Sequence, residues 1–312
     1  MEFFKKTTKI DFMALRKYTF VFSLAITVLS IICNVVSPLN LSMEFTGGHQ
    51  FLLEFKEQQD VGDLRHDMEL NNPDLNPIIQ SYGSDKTFMF KFGTHMDDSD
   101  QEQRQIIAAL NDALPSYKLI SKDVISAQMG KKMLMYSIMA TFIAMIITMI
   151  YIALRFEYRF AIAAVLSLIH DPVLILGIFS LFQIEFTMIT LAALLTTLGY
   201  SLNDTIVVYD RIRENYRKFV KKTPVEIVNL SINETLSRTI ITSGLTALSV
   251  LALLLFGGES LFGFSLAFMI GIIIGTYSSI YIAGSLAVLF GFNSKSLMTF
   301  KQKYQGELDE YS

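Results

Sequence analysis

The stretch MLMYSIMATFIAMIITMIYIAL, residues 133–154, contains no charged side chain. Roughly 20 apolar residues cross the hydrocarbon core of a bilayer, so this run predicts a membrane-spanning helix. Further runs share the property. Tyr18–Met43 and Thr239–Gly258 carry no charge. Phe160–Ile184 carries one acid, Asp171, beside His170. Phe186–Asn203 is clean up to Asp204, and Ser260–Ser294 is longer than one span needs. Six spans are expected, near 18–37, 133–154, 160–182, 186–208, 238–257 and 263–288. The last run should also supply a loop before its helix and an interfacial end after it. A soluble helical bundle is excluded, because such runs would offer water no polar face.

Composition points the same way. Of 312 residues, 52% are apolar and 18% charged, against about 25% charged in an ordinary soluble domain. Disorder is excluded by the apolar surface available for burial. A lone cysteine, Cys33, excludes a disulfide scaffold and reads as a small apolar residue of the first span. The net charge of −3, with dispersed basic residues, argues against a nucleic-acid partner. The methionines of 129–149 read as lipid-facing or interhelical filler.

Lysine and arginine set the expected orientation. Lys5, Lys6, Lys9, Arg16 and Lys17 precede the first span. Arg155 and Arg159 flank the second connection between adjacent spans. Arg211 through Lys222 precede the fifth span, and Lys295, Lys301 and Lys303 follow the sixth. The connections at Gln183–Glu185 and Gly257–Glu259 have no basic residue. Both termini (1–17 and 291–312) are therefore expected in the cytoplasm, with an uncleaved first helix over 18–37 and a five-helix bundle over 132–290. Asp210, Arg211, Arg213 and Glu214 read as a solvated helix end.

The hydrophilic segment 38–131 should lie on the opposite face. Between Pro38 and Gly130 it holds 15 acids and 7 bases, a net of −8, whereas the other 19 bases and 14 acids leave +5. His49–Phe55 alternates as a half-buried strand does. Val61–Asn71 has helical spacing, Asn76–Tyr82 and Thr87–Phe92 read as strands about a turn at Gly83-Ser84-Asp85, and Tyr117–Ser126 closes as a strand. Asp97–Leu114 predicts an amphipathic helix with Ile106, Ile107, Leu110 and Leu114 on its apolar face. The order β-α-β-β-α-β predicts a ferredoxin-like α+β domain.

No H-E-x-x-H, P-loop or cysteine cluster is present. The expected protein is not an enzyme, has no sequence-readable metal site and needs no cofactor. Its informative residues are ionisable groups inside spans, where a charge costs about 2.5–3.5 kcal/mol on insertion scales. Asp204 lies in the fourth span, in Gly199-Tyr200-Ser201-Leu202-Asn203-Asp204-Thr205. Arg238 is expected to open the fifth, and His170-Asp171 sits before Pro172 in the third. A close Asp204–Arg238 pair would hold the acid ionised, and protonation would release the arginine. The other readings are a static ion pair, or an arginine that snorkels to headgroups. His170 and Asp171 read either as a second relay or as hydrogen-bonding groups around a break at Pro172. Gly271 and Gly275 read as helix-packing residues.

Four segments carry a family resemblance: RFEYRFAIAAVLSLIHDPVLILGIFSL (155–181), TLGYSLNDTIVVYDRIREN (197–215), NETLSRTIITSGLTALSVLALLLFGGE (233–259) and GFSLAFMIGIIIGTYSSIYIAGSL (263–286). With Phe45-Thr46-Gly47-Gly48 at the start of the hydrophilic domain, they resemble the SecF family of the bacterial Sec export apparatus. That resemblance implies a subunit working with SecD, similar to resistance-nodulation-division transporters. It also implies association with YajC and the SecYEG channel, and export of unfolded polypeptide coupled to protons across the inner membrane. It further implies that Asp204 and Arg238 belong to the proton pathway. In this sequence Ser42-Met43-Glu44 stands where the family usually has Gly-Ile-Asp, and of the family's Gly-Pro-x-Val-Gly only Gly130 is retained.

Two other classes fit parts of the chain. A small-molecule efflux protein of the related superfamily usually carries two six-helix halves and two large loops. An intramembrane serine protease would need Ser201 in hydrogen-bond contact with His170, together with an oxyanion hole.

Overall fold

The computed structural model describes residues 8–73, 75–93, 99–156, 158–219 and 221–290. The expected cytoplasmic tail, 291–312, lies outside these residues, as do 1–7 and the first two positions of the helix expected from Asp97.

Among the described residues, six helical segments are long and apolar enough to span a membrane. The first is α1 (Arg16–Val36), entered through a 3-10 turn at Phe12–Leu15. After a short helical turn α2 (Met43–Thr46) comes the α+β domain: β1 (Gly48–Phe55), α3 (Val61–Asn71), β2 (Ile78–Ser81), β3 (Thr87–Gly93), α4 (Ser99–Ala113) and β4 (Tyr117–Ile125). The remaining spans are α5 (Ala127–Arg155), α6 (Tyr158–Leu181), α7 (Met188–Lys218), α8 (Pro224–Phe256) and α9 (Glu259–Tyr277). The last continues through a π-helical stretch, Ser278–Ala283, into α10 (Gly284–Leu289).

The sheet is antiparallel with order β2-β3-β1-β4, the arrangement expected of a split β-α-β-β-α-β unit. Alternation along β1 and β3 turns Phe51, Leu53, Phe55, Phe88, Phe90 and Phe92 inward, where Leu64 and Met68 of α3 and Ile106 and Leu110 of α4 close the core. Asp60 caps α3 by accepting from Gly62 N–H.

Several boundaries differ from the sequence expectation. Helix α8 begins at Pro224, not near 238, because Thr223 and Glu226 form a reciprocal capping box there. Most of the basic residues before the fifth span therefore lie on the end of α7, which runs to Lys218. Arg238 lies within α8 and does not open it. No loop precedes the sixth span: Gly258, at φ 70°, turns the chain directly into α9. Helix α6 continues unbroken through Pro172. The α7 end is a network of ion pairs, Arg211–Glu214 at 2.6 Å, Arg211–Glu234 at 2.8 Å and Arg155–Asp210 at 2.7 Å.

Helix α7 lies at the centre of the bundle. A Cβ on Gly271 would collide with the Thr197 side chain, and one on Gly275 would sit 2.9 Å from Ser201 Cβ. These two glycines thus let α9 approach α7 backbone-close, the way helices associate where lipid supplies no hydrophobic drive. Helices α1, α5 and α8 expose large apolar residues such as Phe22, Phe142, Ile147, Leu245 and Leu248.

Candidate functional site

The bundle interior holds two buried carboxylates, both reached from α7. Asp171 on α6 has no exposed surface. Its Oδ2 accepts from Ser201 Oγ of α7 at 2.5 Å and from Ser278 Oγ at 3.0 Å, at the first position of the π-helical stretch. Its Oδ1 lies 3.0 Å from His170 Nδ1. The next hydroxyls continue the network: Ser279 Oγ donates to the Ser201 carbonyl at 3.2 Å, and Thr205 Oγ1 and Ser279 Oγ are 3.0 Å apart. His170 is 8% exposed, and its Nε2 is buried without a hydrogen-bond partner among the described residues.

Asp204 is 4% exposed. It lies one turn beyond Ser201 and faces α8, where Ser243 Oγ donates to its Oδ2 at 3.4 Å. Thr276 Oγ1 of α9 in turn donates to Ser243 Oγ at 2.9 Å. The expected close pair with Arg238 is not formed. Arg238 is exposed. The physical reason is angular: Arg238 and Ser243 are five residues apart on α8, about 140° around the helix, so with Ser243 facing α7 Arg238 turns outward.

The arrangement brings together side chains of very different sequence position. A buried carboxylate held by hydroxyl groups keeps its hydrogen bonds in either protonation state, because a hydroxyl can donate or accept. Asp171 in addition touches the His170 imidazole, whose two ring nitrogens can each hold a proton. The chemistry available is thus proton binding and release. Serine nucleophile chemistry does not fit: the carboxylate stands between Ser201 and His170, and the contact between serine and base that activation needs is missing. Among the described residues, no three His, Cys, Asp or Glu side chains converge as metal ligands would.

Ser243, Thr276, Ser278, Ser279 and Thr205 were not legible as site residues from the sequence. A signal existed for part of the set. Thr190, Thr197, Ser201 and Thr205 recur at helical spacing within an apolar run, and all four are buried. The π-helical stretch had no such signal, although such stretches often occur at functional sites.

The motif Phe45-Thr46-Gly47-Gly48 forms the junction between domain and bundle. Phe45 is buried against Phe186, ring centroids 6.1 Å apart, and Thr46 Oγ1 donates to the Ser42 carbonyl at 3.2 Å. Gly47, at φ 84°, has no room for a Cβ, which would lie 2.7 Å from Ala127 Cα, and a Cβ on Gly130 would lie 2.6 Å from Gly47 N. The start of β1 and the first turn of α5 are thus packed backbone to backbone.

Fold and site together define a six-span membrane protein with one α+β domain and a buried cluster of carboxylates and hydroxyls. A family model for protein export membrane protein SecD/SecF, C-terminal, matches residues 105–293. The protein translocase subunit SecF of Vibrio alginolyticus is 38% identical over 309 residues, covering 98% of each chain. That of Rickettsia felis is 37% identical over 291 residues, covering 91% of this chain and 94% of its own. The crystal structure of SecDF, a translocon-associated membrane protein from Thermus thermophilus, superposes with a TM-score of 0.77 at 34% identity, covering 90% of this chain and 38% of that one. A SecDF structure in a super-membrane-facing form gives 0.71 at 32% identity, covering 99% and 41%. The chain thus spans about two fifths of the solved SecDF chains. It belongs to the SecF family of protein translocase subunits.

Proposed function

We propose that this subunit, paired with SecD in the inner membrane, uses the proton gradient to complete export of unfolded polypeptide emerging from the SecYEG channel, with YajC as a further partner. In this reading both termini face the cytoplasm and the α+β domain lies outside. Protons are the coupling ion. The observation that carries it is the pair of buried carboxylates, Asp171 and Asp204, held by hydroxyls of α7, α8 and the π-helical stretch inside a bundle of apolar spans. Intramembrane ionisable residues of this kind mark ion pathways.

A proton enters between this bundle and that of SecD and reaches Asp204. The carboxylate and Arg238 alternate between the separated arrangement described above and a closer one, so the charge on Asp204 biases the position of α8 against α7. Asp171 and His170 form the second station, which biases α6 and the π-helical stretch against α7. Moving one charge through the membrane potential supplies about 2.3 kcal/mol per 100 mV. A few protons per stroke therefore suffice to bias a domain motion of a few kcal/mol. Asp204→Asn should abolish the gradient-dependent part of export of a secreted reporter in membrane vesicles, at normal expression and insertion. Undiminished gradient-dependent export by that variant would exclude the mechanism.

A further inference from the structure

The proton stations lie on α6, α7 and their neighbours, whereas the domain that would act on polypeptide lies beyond the ends of these helices. The six residues between α6 and α7, 182–187, are where the two regions meet, and two parts of the chain grip this turn separately.

The first grip is made by the connector 38–46. Ser42 N–H donates to the Phe186 carbonyl at 3.1 Å and Phe186 N–H to the Asn40 carbonyl at 2.7 Å, forming a parallel bridge at Leu41–Phe186. Asn40 Nδ2 donates to the Gln183 carbonyl at 3.1 Å. Glu44 accepts from Met188 N–H, the first residue of α7, at 2.6 Å, where a carboxylate also meets the positive end of the helix dipole. Two of these bonds are backbone to backbone and two use a connector side chain, and together they fix the turn to the connector.

The second grip comes from the sheet itself. Lys91 on β3 reaches both carboxylate oxygens of Glu185, each at 3.1 Å, and Gln80 on β2 donates to the same carboxylate at 3.3 Å. The ion pair is only 13% and 14% exposed, so solvent screens it weakly. Beside it lies a cleft of about 460 Å³ between sheet and bundle, lined by Gln50, Gln80, Lys91, Glu185 and Glu259 among others. The cleft leaves the sheet room to tilt about the connector, and the Lys91–Glu185–Gln80 contact bridges it.

Helix α6 carries Asp171 and α7 carries Asp204, and the turn is their shortest covalent link. A relative shift of the two helices must appear there. We propose that Glu185 is the positioning residue through which the α6–α7 turn sets the tilt of the α+β domain, with Lys91 and Gln80 as its receivers on the sheet. The proposal deepens the proton-coupled reading and rests on it for the origin of the shift.

The test uses the full chain with its SecD partner and three variants: Lys91→Glu, Glu185→Lys and the charge-swapped double variant. Hydrogen exchange without a gradient reads the contact itself. Each single variant should speed exchange in β2, β3 and 182–187 on the order of tenfold, and the swap should restore it. Gradient-dependent export should fall roughly two- to tenfold in the singles and recover in the swap. Normal export in singles whose exchange shows the contact broken would overturn the proposal. So would a swap that restores exchange but not export, or singles with unchanged exchange. Asp204→Asn run alongside keeps the two ideas apart: if it exports normally, the proton reading fails while the exchange result still reports on the contact.

Discussion

In the α+β domain the interior is built from Phe51, Phe55, Phe88, Phe90 and Phe92 with Leu53 and Leu64. Between α6, α7 and α9 buried apolar side chains such as Phe160, Phe179 and Tyr209 share the interior with a layer of small and hydroxyl-bearing residues, Thr197, Ser201, Thr205, Ser278, Ser279, Gly271 and Gly275. Water surrounds the first region, so burying large apolar side chains drives its assembly. Lipid surrounds the second, where apolar side chains gain little by turning inward, and close backbone approach with interhelical hydrogen bonds decides the packing. Each region also buries one imidazole–carboxylate pair. His49 Nε2 meets Glu102 Oε2 at 3.1 Å in the domain, and His170 Nδ1 meets Asp171 Oδ1 at 3.0 Å in the bundle. The first joins β1 to the first turn of α4 within one compact unit. The second adds donors from α7 and from the π-helical stretch, so its state bears on how three segments sit together.

The contrast can be broken by substitution, beginning with the largest effect. Phe90→Ala should cost about 3–5 kcal/mol in the stability of the domain, read as faster hydrogen exchange across β1 and β3, with the spans unaffected. Comparable exchange changes in α6 and α7 would mean that the two cores are one. Glu102→Ala removes the buried partner of His49 Nε2 and should cost the domain about 1–3 kcal/mol while leaving gradient-dependent export intact. Asp171→Asn should do the reverse, because the amide oxygen still accepts from both serines; its stability should change by less than about 1 kcal/mol while coupling falls. Equal effects of the two variants on export would erase the distinction between a structural and a working pair. The smallest effect is expected for Ser278→Ala, about 0.6 kcal/mol in bundle stability, measured by unfolding in detergent. A much larger loss would show that the π-helical stretch depends on that single hydroxyl.

Much of the fold was legible because each environment imposes a short-range pattern. Charge-free runs marked the spans. Alternation and turn residues marked the strands, with Val61–Asn71 and Tyr117–Ile125 falling almost where the spacing placed them. Boundaries failed where local capping outweighed hydropathy: Thr223 with Glu226 begins α8 well before its apolar run. In the site, Asp204, Asp171 and His170 stood out as costly charges. Of their hydroxyl partners, Ser201 lay on a stripe of hydroxyl residues at helical spacing, whereas Ser243 and Ser278, in apolar runs, had no such period.

The sequence alone determined six spans, one acidic α+β domain after the first, and which buried acids to examine, since a charge in hydrocarbon is expensive wherever its neighbours lie. Only the tertiary structure decided that Asp204 faces Ser243 while Arg238 turns outward, that Asp171 gathers donors from two other segments, and that Glu185 holds the sheet. Those outcomes depend on helix rotation and on where each helix begins, and one turn of difference in a start site carries a side chain to another height in the membrane and another set of neighbours.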